Sequence, residues 1–193
     1  LKNNIVVLRH YQSTKVNVKR AMASCCQCQM CTDLCPRHLL GHPITPHMFM
    51  RSVSSGTAQD IKPLLDTMFC SACGLCEMYS CGQGLSPRTL IGEYKGALRK
   101  NGVPVPKDAV LKPVAPYRNE RRVPMERLTA RIGLTRYDMP APMVDEEVKA
   151  DTVKIQLTQH IGAPAKAFVA VGDKVVVGQP IGGTDDDKLG ILR

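Results

Sequence analysis

Apolar residues recur at helical spacing in three stretches of the 193-residue chain, each bounded by residues that start and stop helices. A proline at the first helical position and a glycine or asparagine just past the last turn mark such boundaries. In one stretch, Ile91, Tyr94 and Leu98 follow the i, i+3, i+7 pattern of a single helix face. The predicted helices lie between Thr45-Pro46 and Ser54-Ser55-Gly56, between Ser86-Pro87 and Asn101-Gly102, and between Pro124 and Gly133.

Two other stretches have the pattern of strands. The run Ile5-Val6-Val7-Leu8 is a short apolar block rich in β-branched residues, which predicts a strand near the start of the chain. From about residue 151, Val153, Ile155 and Leu157 alternate with polar residues, as in a half-buried strand. Because the helical and strand signals occupy separate parts of the chain, the expected fold class is α+β.

Composition divides the chain into four parts. Residues 20–101 contain all nine cysteines and two of the predicted helices. Residues 102–150 contain seven prolines and a string of arginines, which predicts an extended connector with one short helix. Residues 1–19 are expected to end a preceding β module, and residues 151–193 to begin a β-rich one. The chain starts with Leu1 and stops soon after the second β pattern begins, so both ends are expected to be cuts through larger folds.

Eight of the nine cysteines fall into two runs. The first is Cys25-x2-Cys28-x2-Cys31-x3-Cys35-Pro36, which has the spacing of bacterial two-cluster ferredoxins. The second is Cys70-x2-Cys73-x2-Cys76-x4-Cys81, with one extra residue before its last cysteine and Gly82 in place of the usual proline. A cubane 4Fe-4S cluster needs four thiolates at its corners, and the two-residue gaps let one tight loop supply three of them. The runs therefore predict two 4Fe-4S clusters.

The fourth ligand of each cluster is expected to come from the other run, because the cysteine before the proline ligates the other cluster in two-cluster ferredoxins. Cluster I is predicted to be bound by Cys25, Cys28, Cys31 and Cys81. Cluster II is predicted to be bound by Cys70, Cys73, Cys76 and Cys35. The extra residue before Cys81 leaves open that this cysteine folds back onto its own run.

Other interpretations of the metal-ligating residues fit less well. A disulfide framework is at odds with the odd number of cysteines and the absence of secretion signals. Four-cysteine zinc sites use two separated pairs and need no third cysteine two residues further on. Cys26 is left over, either as a spare packing thiol or as a rival ligand. His38 and His42 have the spacing of a metal pair, but Gly41 and Pro43 argue against a continuous helix there.

The formal net charge is +9 when every cysteine is counted as a neutral thiol. Eight cluster-bound thiolates and two oxidised cluster cores would reduce it to about +5. A basic surface can attract acidic proteins or nucleic acid, but no nucleic-acid-binding motif is present, so no nucleic acid partner is expected. The arginines form either a solvated face or a docking patch: Arg118, Arg121, Arg122, Arg127, Arg131 and Arg136.

No apolar run approaches the ~20 residues of a membrane span and no signal peptide opens the chain, which predicts a cytoplasmic protein without a transmembrane segment.

No catalytic constellation is visible in the sequence. No glycine-rich phosphate loop follows a strand, and no Ser/His/Asp or Cys/His arrangement is present. One-electron clusters joined to a pyridine nucleotide need a flavin that splits the electron pair. A flavin that links such clusters to a pyridine nucleotide is therefore expected only in missing domains or in a partner, and no catalytic residue is assigned to this segment.

Several stretches together resemble a known family, the soluble cobalamin reductases of propanediol-utilisation microcompartments, which are related to the RnfC protein of the Rnf ferredoxin:NAD oxidoreductase. The similar stretches are residues 25–41 and 69–81 around the cysteines, 121–124 and 137–141 in the connector, and 160–165 and 171–182 in the tail. The tail resembles the barrel-sandwich module of the family. The four-residue gap before Cys81 fits the cobalamin reductases better than RnfC.

The resemblance implies an architecture and a path for electrons. Residues 20–101 would be a small helical two-cluster ferredoxin-like domain, 102–150 a Pro/Arg-rich connector, and 151–193 a partial, lipoyl-like barrel-sandwich module. Electrons would pass from NADH through a flavin domain or subunit and the clusters to a corrinoid or another redox protein. The protein would lie in the cytoplasm, inside a bacterial microcompartment, or at the membrane periphery if it is of the Rnf type. A zinc-bound structural module is the rival from another class.

Overall fold

The computed structural model describes residues 4–145, 149–159 and 164–184. It divides into two compact units, the first ending at Pro140 and the second beginning at Ala141. The described part of the first unit contains the α-helices α1 (Ile5–Leu8), α2 (Thr14–Ser24), α3 (Met30–Asp33), α4 (Pro36–Leu39), α5 (Pro46–Ser55), α6 (Lys62–Leu65), α7 (Pro87–Lys100) and α8 (Met125–Arg131). It also contains 3-10 turns at Asp66–Phe69 and Thr135–Tyr137 and a π-helical turn at Cys76–Ser80. No helix in the described ranges is long and apolar enough to cross a membrane.

The three helices predicted from the sequence are confirmed as α5, α7 and α8. Helices α5 and α7 each start with a proline at the first helical position, where the missing N–H group would have no partner within the helix. Gly56 ends α5 with a φ of 70°, a left-handed conformation that glycine adopts without a Cβ clash. The local chemistry of the boundaries is therefore sufficient to fix these helices.

Helices α2, α5 and α7 meet around the main apolar core of the first unit. The buried side chains of this core are Ala21, Phe49, Met50, Leu85, Leu90 and Ile91. The rings of Phe49 and Tyr94 meet edge to face, with centroids 5.7 Å apart. Three cysteines of the two runs, Cys25, Cys70 and Cys81, pack against the edge of the core. The same core therefore supports both cysteine loops.

The strand predicted at residues 5–8 is wrong, because the structure has the helical turn α1 there. The side chain of Asn4 accepts hydrogen bonds from two backbone N–H groups of α1, and such a cap favours a helix start over an extended run. Helix α2 then continues across residues 19 and 20, where the sequence suggested a domain boundary. His10, between the two helices, is buried with its Nδ1 2.8 Å from the hydroxyl of Ser86.

The strand predicted at residues 153–158 is also wrong, since the described residues 149–159 contain no strand. The alternating side chains of Val153, Ile155 and Leu157 are exposed, so no buried face and no ladder stabilise an extended run there. The carbonyl group of Leu157 instead accepts a single hydrogen bond from the backbone N–H of Ala165, at 2.9 Å.

The second unit has a two-stranded antiparallel sheet of β1 (Lys166–Ala167) and β2 (Gly182–Gly183). Two tight turns lie between the strands. In one, the carboxylate of Asp173 accepts from the N–H of Ala170 at 2.7 Å. In the other, the amide oxygen of Gln179 accepts from the N–H of Val176 at 3.1 Å. Residues 160–163, which carry part of the barrel-sandwich resemblance, lie outside the described residues.

The extended connector lies along the loop that follows α4. The N–H of Lys112 donates to the carbonyl of Gly41, and the N–H of Ala115 donates to the carbonyl of Leu39, each at 2.9 Å. Gly41 has a φ of 89°, and a Cβ atom at this position would overlap the carbonyl oxygen of Lys112. Glycine is therefore required here for its conformation and for the close approach of the connector.

We expect Gly41→Ala to reduce the free energy of unfolding of the first unit by roughly 3 kcal/mol or more, because it adds an overlap with the connector to the cost of a left-handed alanine. Gly56→Ala is the matched control. Gly56 also has a positive φ after a helix, but nothing lies within 4 Å of a Cβ atom built there. Its loss should be about 1 kcal/mol.

Anaerobic urea unfolding of the two variants, followed by circular dichroism, measures the difference. Equal losses would show that the connector moves away from Gly41 at no cost, and the close packing of the connector would then be wrong.

Candidate functional site

Two cavities in the first unit are each lined by four of the eight cysteines of the runs. The first cavity is lined by Cys25, Cys28, Cys31 and Cys81. The second cavity is lined by Cys35, Cys70, Cys73 and Cys76. The exposed Cys26 also lines the first cavity. The structure thus brings together the two sets that the sequence suggested for cluster I and cluster II. That these side chains ligate clusters stays a prediction.

Cys35 reaches the second cavity because the chain changes direction after α3. Pro36 is the first residue of α4, and a proline forces the preceding residue out of the helical region. Cys35 is accordingly extended, with φ −74° and ψ 116°. It leaves the first loop and lies near Cys70 and Cys73 of the second.

Cys81 reaches the first cavity in the same way, although its run has one more residue. The extra residue is accommodated by the π-helical turn Cys76–Ser80, since a π turn contains more residues than an α turn. Cys81 follows this turn in an extended conformation, with φ −81° and ψ 106°. The two crossing cysteines, Cys35 and Cys81, therefore leave their loops with nearly the same backbone geometry.

The two cysteine loops also share their backbone conformation at matching positions. Gln27 and Ala72, just before the middle cysteine of each loop, have φ values of 57° and 58°. Gln29 and Gly74, just after it, have φ values of 63° and 81°. A left-handed conformation costs a non-glycine residue about 1 kcal/mol or more. The surrounding fold must therefore hold both loops against the local preference of the chain.

Several N–H groups of the loops donate to cysteine sulfur atoms. The bonds run from Ala72 N to Cys70 Sγ at 3.3 Å, from Leu85 N to Cys81 Sγ at 3.4 Å, and from Gln27 Nε2 to Cys25 Sγ at 3.4 Å. Donors of this kind favour the charged thiolate over the thiol and tune the potential of a cluster that the sulfur ligates.

Burial makes several of the thiols hard to ionise. It raises the pKa of Cys31 to about 12, and neighbouring cysteines add to the effect. It also raises the pKa of Cys76 well above the usual value, with a further contribution from Glu77. The pKa values of Cys25 and Cys35 are raised by burial too. Such thiols remain neutral near pH 7 and become thiolates only where a metal offsets the charge.

This donor set fits a cubane cluster. The described residues contain no group of three His, Cys, Asp or Glu side chains that could hold one metal ion. The four run cysteines of each cavity line one space, as the four corner ligands of a cubane cluster do. Apolar side chains complete the walls, among them Met50 and Leu85 in the first cavity and Ile44 and Ile91 in the second.

The two cavities differ in the charges around them. Arg37 and Arg88 line the second cavity, and the ammonium group of Lys95 donates to the carbonyl of Cys70 at 2.8 Å. The polar side chains that line the first cavity are glutamines and His47. Burial lowers the pKa of His47, so its ring is neutral near pH 7.

Glu77 is a buried acid beside the second cavity. It is 1% exposed, and its carboxylate accepts hydrogen bonds from the N–H and hydroxyl groups of Thr89 at 2.8 and 3.2 Å. It also lies 3.7 Å from the guanidinium group of Arg88. The side chain of Ser86 makes no cap hydrogen bond to α7, so Glu77 takes that role at the N-terminus of the helix.

The sequence analysis missed Arg37, Glu77 and Lys95. Arg37 directly follows Cys35-Pro36, so its place beside the motif is a usable signal. Glu77 directly follows Cys76, where a charged residue in a buried turn needs a partner. Nothing in the sequence distinguishes Lys95 from a surface lysine of an amphipathic helix.

The histidine pair and two members of the arginine group make local contacts. His38 Nδ1 lies 2.9 Å from the carbonyl oxygen of Ile44, a backbone contact within the loop, and α4 ends before His42. In the arginine group, Arg131 donates from Nε to the carbonyl of Met78 at 2.7 Å, which ties α8 to the second cysteine run. Arg136 lies over the ring of Tyr137 at 4.9 Å.

Two family models match separate parts of the chain. Residues 24–86 match the 4Fe-4S dicluster domain, and residues 141–190 match the RnfC barrel sandwich hybrid domain. The chain therefore combines a ferredoxin-like 4Fe-4S dicluster domain, which is an electron-transfer module, with a barrel-sandwich hybrid domain. No solved structure matches the chain significantly.

Two named relatives align with nearly the whole chain. The chain is 38% identical over 189 residues to a protein of Salmonella typhimurium named cobalamin reductase PduS. It is 34% identical over 194 residues to a protein of the same name from Citrobacter freundii. Each alignment covers 98% of this chain and 42% of the relative. The predicted resemblance to cobalamin reductases is confirmed, and the match of residues 141–190 supports the predicted relation to RnfC.

We expect Cys81→Ser to weaken the cluster of the first cavity, although Cys81 belongs to the second run. Cys28→Ser and Cys73→Ser serve as references, since each should remove about half of the iron, from cluster I and cluster II respectively. The EPR spectrum of dithionite-reduced Cys81→Ser should then resemble that of Cys28→Ser. Iron and sulfide contents are measured on the same samples.

Cys26→Ser is the matched control and should retain all the iron, because the four other cysteines of the first cavity suffice. Iron loss in this variant would show that the ligand register is shifted by one residue. A Cys81→Ser spectrum that resembles that of Cys73→Ser would place Cys81 on the cluster of its own run.

Proposed function

We propose that this chain is the electron-transfer segment of a flavin-dependent, NADH-linked oxidoreductase of the cobalamin reductase type. In this proposal the first cavity holds cluster I and the second cavity holds cluster II, with the ligand sets given above. The observation that carries the proposal is the pair of cavities, each lined by four of the eight run cysteines, with members of both runs in each. Each cluster, when bound, accepts and releases one electron at a time.

The residues of the chain supply the binding and the environment for this chemistry. The left-handed loop residues and the crossing of Cys35 and Cys81 tie both cavities to both loops. The N–H donors to sulfur favour the thiolate form of the ligands. The apolar walls limit water, which strengthens every charge interaction inside. The pair therefore forms one folding unit, since each cavity takes ligands from both loops.

The complete activity requires parts beyond this chain. The chain spans 42% of the length of the cobalamin reductases that it matches. We place the FMN- and NADH-binding functions in such parts or in a partner, because no glycine-rich nucleotide loop occurs in this sequence. The acceptor is a corrinoid or another redox protein. In this proposal the protein works in the cytoplasm and within a bacterial microcompartment.

The domain limits belong to the same proposal. Residues 20–101 form the two-cluster domain, with residues 102–150 as connector and residues 151–193 as part of the barrel-sandwich module. Residues 1–19 are the end of a preceding module, and α1 and α2 join it to the two-cluster domain.

The second candidate function is that of RnfC in a membrane-associated Rnf-type complex. The match of residues 141–190 to the RnfC barrel sandwich hybrid domain favours it. The alignments to cobalamin reductases cover 98% of the chain, whereas the RnfC match is confined to residues 141–190, so we favour the cobalamin reductase type. A zinc-bound structural module would be colourless, whereas a protein with two 4Fe-4S clusters is brown when purified without oxygen.

We expect the isolated, iron-reconstituted and flavin-free chain to be reduced by dithionite but not by NADH. The reason is that a two-electron hydride donor needs a flavin before one-electron centres can be filled. Anaerobic bleaching of the broad visible absorption measures the reduction. A reduced flavodoxin, which is a one-electron flavin donor, should bleach the same chain that NADH does not bleach.

Bleaching of the flavin-free chain by NADH would overturn the assignment of the nucleotide and flavin sites to other parts. Stoichiometric zinc and no reducible absorption would overturn the cluster assignment itself.

A further inference from the structure

Two cations converge on consecutive backbone carbonyls at the entrance of the second cysteine loop. The guanidinium group of Arg37 donates from Nε to the carbonyl of Phe69 at 3.2 Å. The ammonium group of Lys95 donates to the carbonyl of Cys70 at 2.8 Å. The two residues come from different elements, α4 and α7, and both are half-buried. Their charges are therefore held beside the second cavity and partly shielded from water.

The other charged side chains described near the second cavity are paired or exposed. Glu77, next to Cys76, is paired with Arg88 at 3.7 Å, so this buried acid faces a cation of its own. Arg131 reaches the carbonyl of Met78 but is exposed, and solvent screens its charge. Among the described contacts around this cavity, Arg37 and Lys95 remain as two cations that meet backbone carbonyls and not carboxylates.

The first cavity has no equivalent arrangement among the described residues. Its lining polar side chains are Gln27, Gln29, Gln83 and His47. Arg51 donates to the amide oxygen of Gln27 at 3.3 Å, but it is exposed. Asp33 and Arg51 both act electrostatically on His47, and the negative charge of Asp33 opposes the positive charge of Arg51 there.

The burial of the cysteines also differs between the two cavities, and this difference acts on the reduction potential in the direction opposite to the cations. Each cavity has one exposed cysteine, Cys28 in the first and Cys73 in the second. Of the remaining cysteines, Cys35 and Cys76 of the second cavity are buried, whereas none of the run cysteines of the first cavity is more than half-buried. A reduced cluster carries one more negative charge than an oxidised one, so desolvation alone disfavours its reduction. The more buried second cavity would then hold the cluster that is harder to reduce. Cations in a low-dielectric site act against this effect, and they do so more strongly than in water.

We propose that Arg37 and Lys95 raise the reduction potential of cluster II and so offset the cost of its burial. This inference rests on the proposed function, because it requires a cluster in the second cavity. The two cations favour the reduced state over the oxidised one, with no role in ligating the iron. Through this offset the two clusters exchange electrons without a large uphill step, although their ligands are buried to different extents.

The test uses the Cys28→Ser and Cys73→Ser backgrounds, which retain cluster II and cluster I respectively. In the Cys28→Ser background, Lys95→Met should lower the midpoint potential, so that the ratio of reduced to oxidised cluster at a fixed solution potential falls roughly fivefold. In the Cys73→Ser background the same substitution should leave the potential unchanged. Anaerobic redox titration followed by EPR gives both values, and iron content is measured in parallel.

Three further variants separate charge from structure. Lys100→Met removes an exposed lysine at the end of the same helix and should leave both potentials unchanged. Lys95→Arg keeps the charge and should restore most of the potential of cluster II. Arg37→Gln, which removes the other cation, should lower the potential of cluster II in the same direction as Lys95→Met. If Lys95→Met loses its iron, Lys95→Gln replaces it, because glutamine keeps a hydrogen-bond donor without the charge.

The outcomes are distinguishable. Unchanged potentials in Lys95→Met and Arg37→Gln, with full iron content for the background, would overturn the inference and leave the two-cluster function intact. Iron loss in both Lys95→Met and Lys95→Gln would show a structural role for Lys95 and would also overturn it. Absence of reducible clusters from the unsubstituted chain would overturn the proposed function instead.

Discussion

The first unit depends on bringing eight cysteine thiols together in two groups of four, in cavities that bury or half-bury six of them. The first and second cavities each combine three cysteines of one loop with one that arrives from the other. Burial raises the pKa of Cys31 and Cys76, so ionising these thiols without a metal is unfavourable. In the proposed two-cluster protein, metal-ligand bonds would provide the energy that allows charged thiolates inside the fold. The apolar core beneath the loops sets where those thiols can meet.

The helices around the loops position the two cysteines, Cys35 and Cys81, that each reach the cavity of the other loop. Helix α5 supplies Phe49 and Met50 to the core, and α7 supplies Leu90 and Ile91. The short helices α3 and α4 lie on either side of Cys35 and set its direction. Because Cys25, Cys70 and Cys81 pack against the core that α5 and α7 help to form, a shift of either helix would disturb ligands of both cavities.

The parts of the fold that could be predicted from the sequence are those fixed by local chemistry. Prolines at helix starts and Gly56 at a helix end determine α5 and α7, and the cysteine spacing groups the thiols as the cavities do. Where local sequence signals conflict, the secondary structure depends on which other residues contact the segment. Residues 5–8 form a helix because Asn4 caps them, and residues 153–158 pair with no strand in the part of the chain that the structure describes. The contacts of Arg37 and Lys95 join residues more than twenty positions apart, so no sequence pattern reports them.

The π-helical turn Cys76–Ser80 accommodates the extra residue before Cys81, which is the point where the second run departs from the ferredoxin spacing. With an α-helical turn after Cys76, the extra residue would rotate Cys81 away from the direction that Cys35 takes in the first run. The wider turn keeps the extended geometry at both crossing cysteines, with ψ angles of 106° and 116°. The hydrogen bond from Arg131 to the carbonyl of Met78 lies within this turn, where the regular helical pattern is altered. The connector thus stabilises the one segment whose length departs from the ferredoxin spacing, and the crossing of the two loops is preserved despite the insertion.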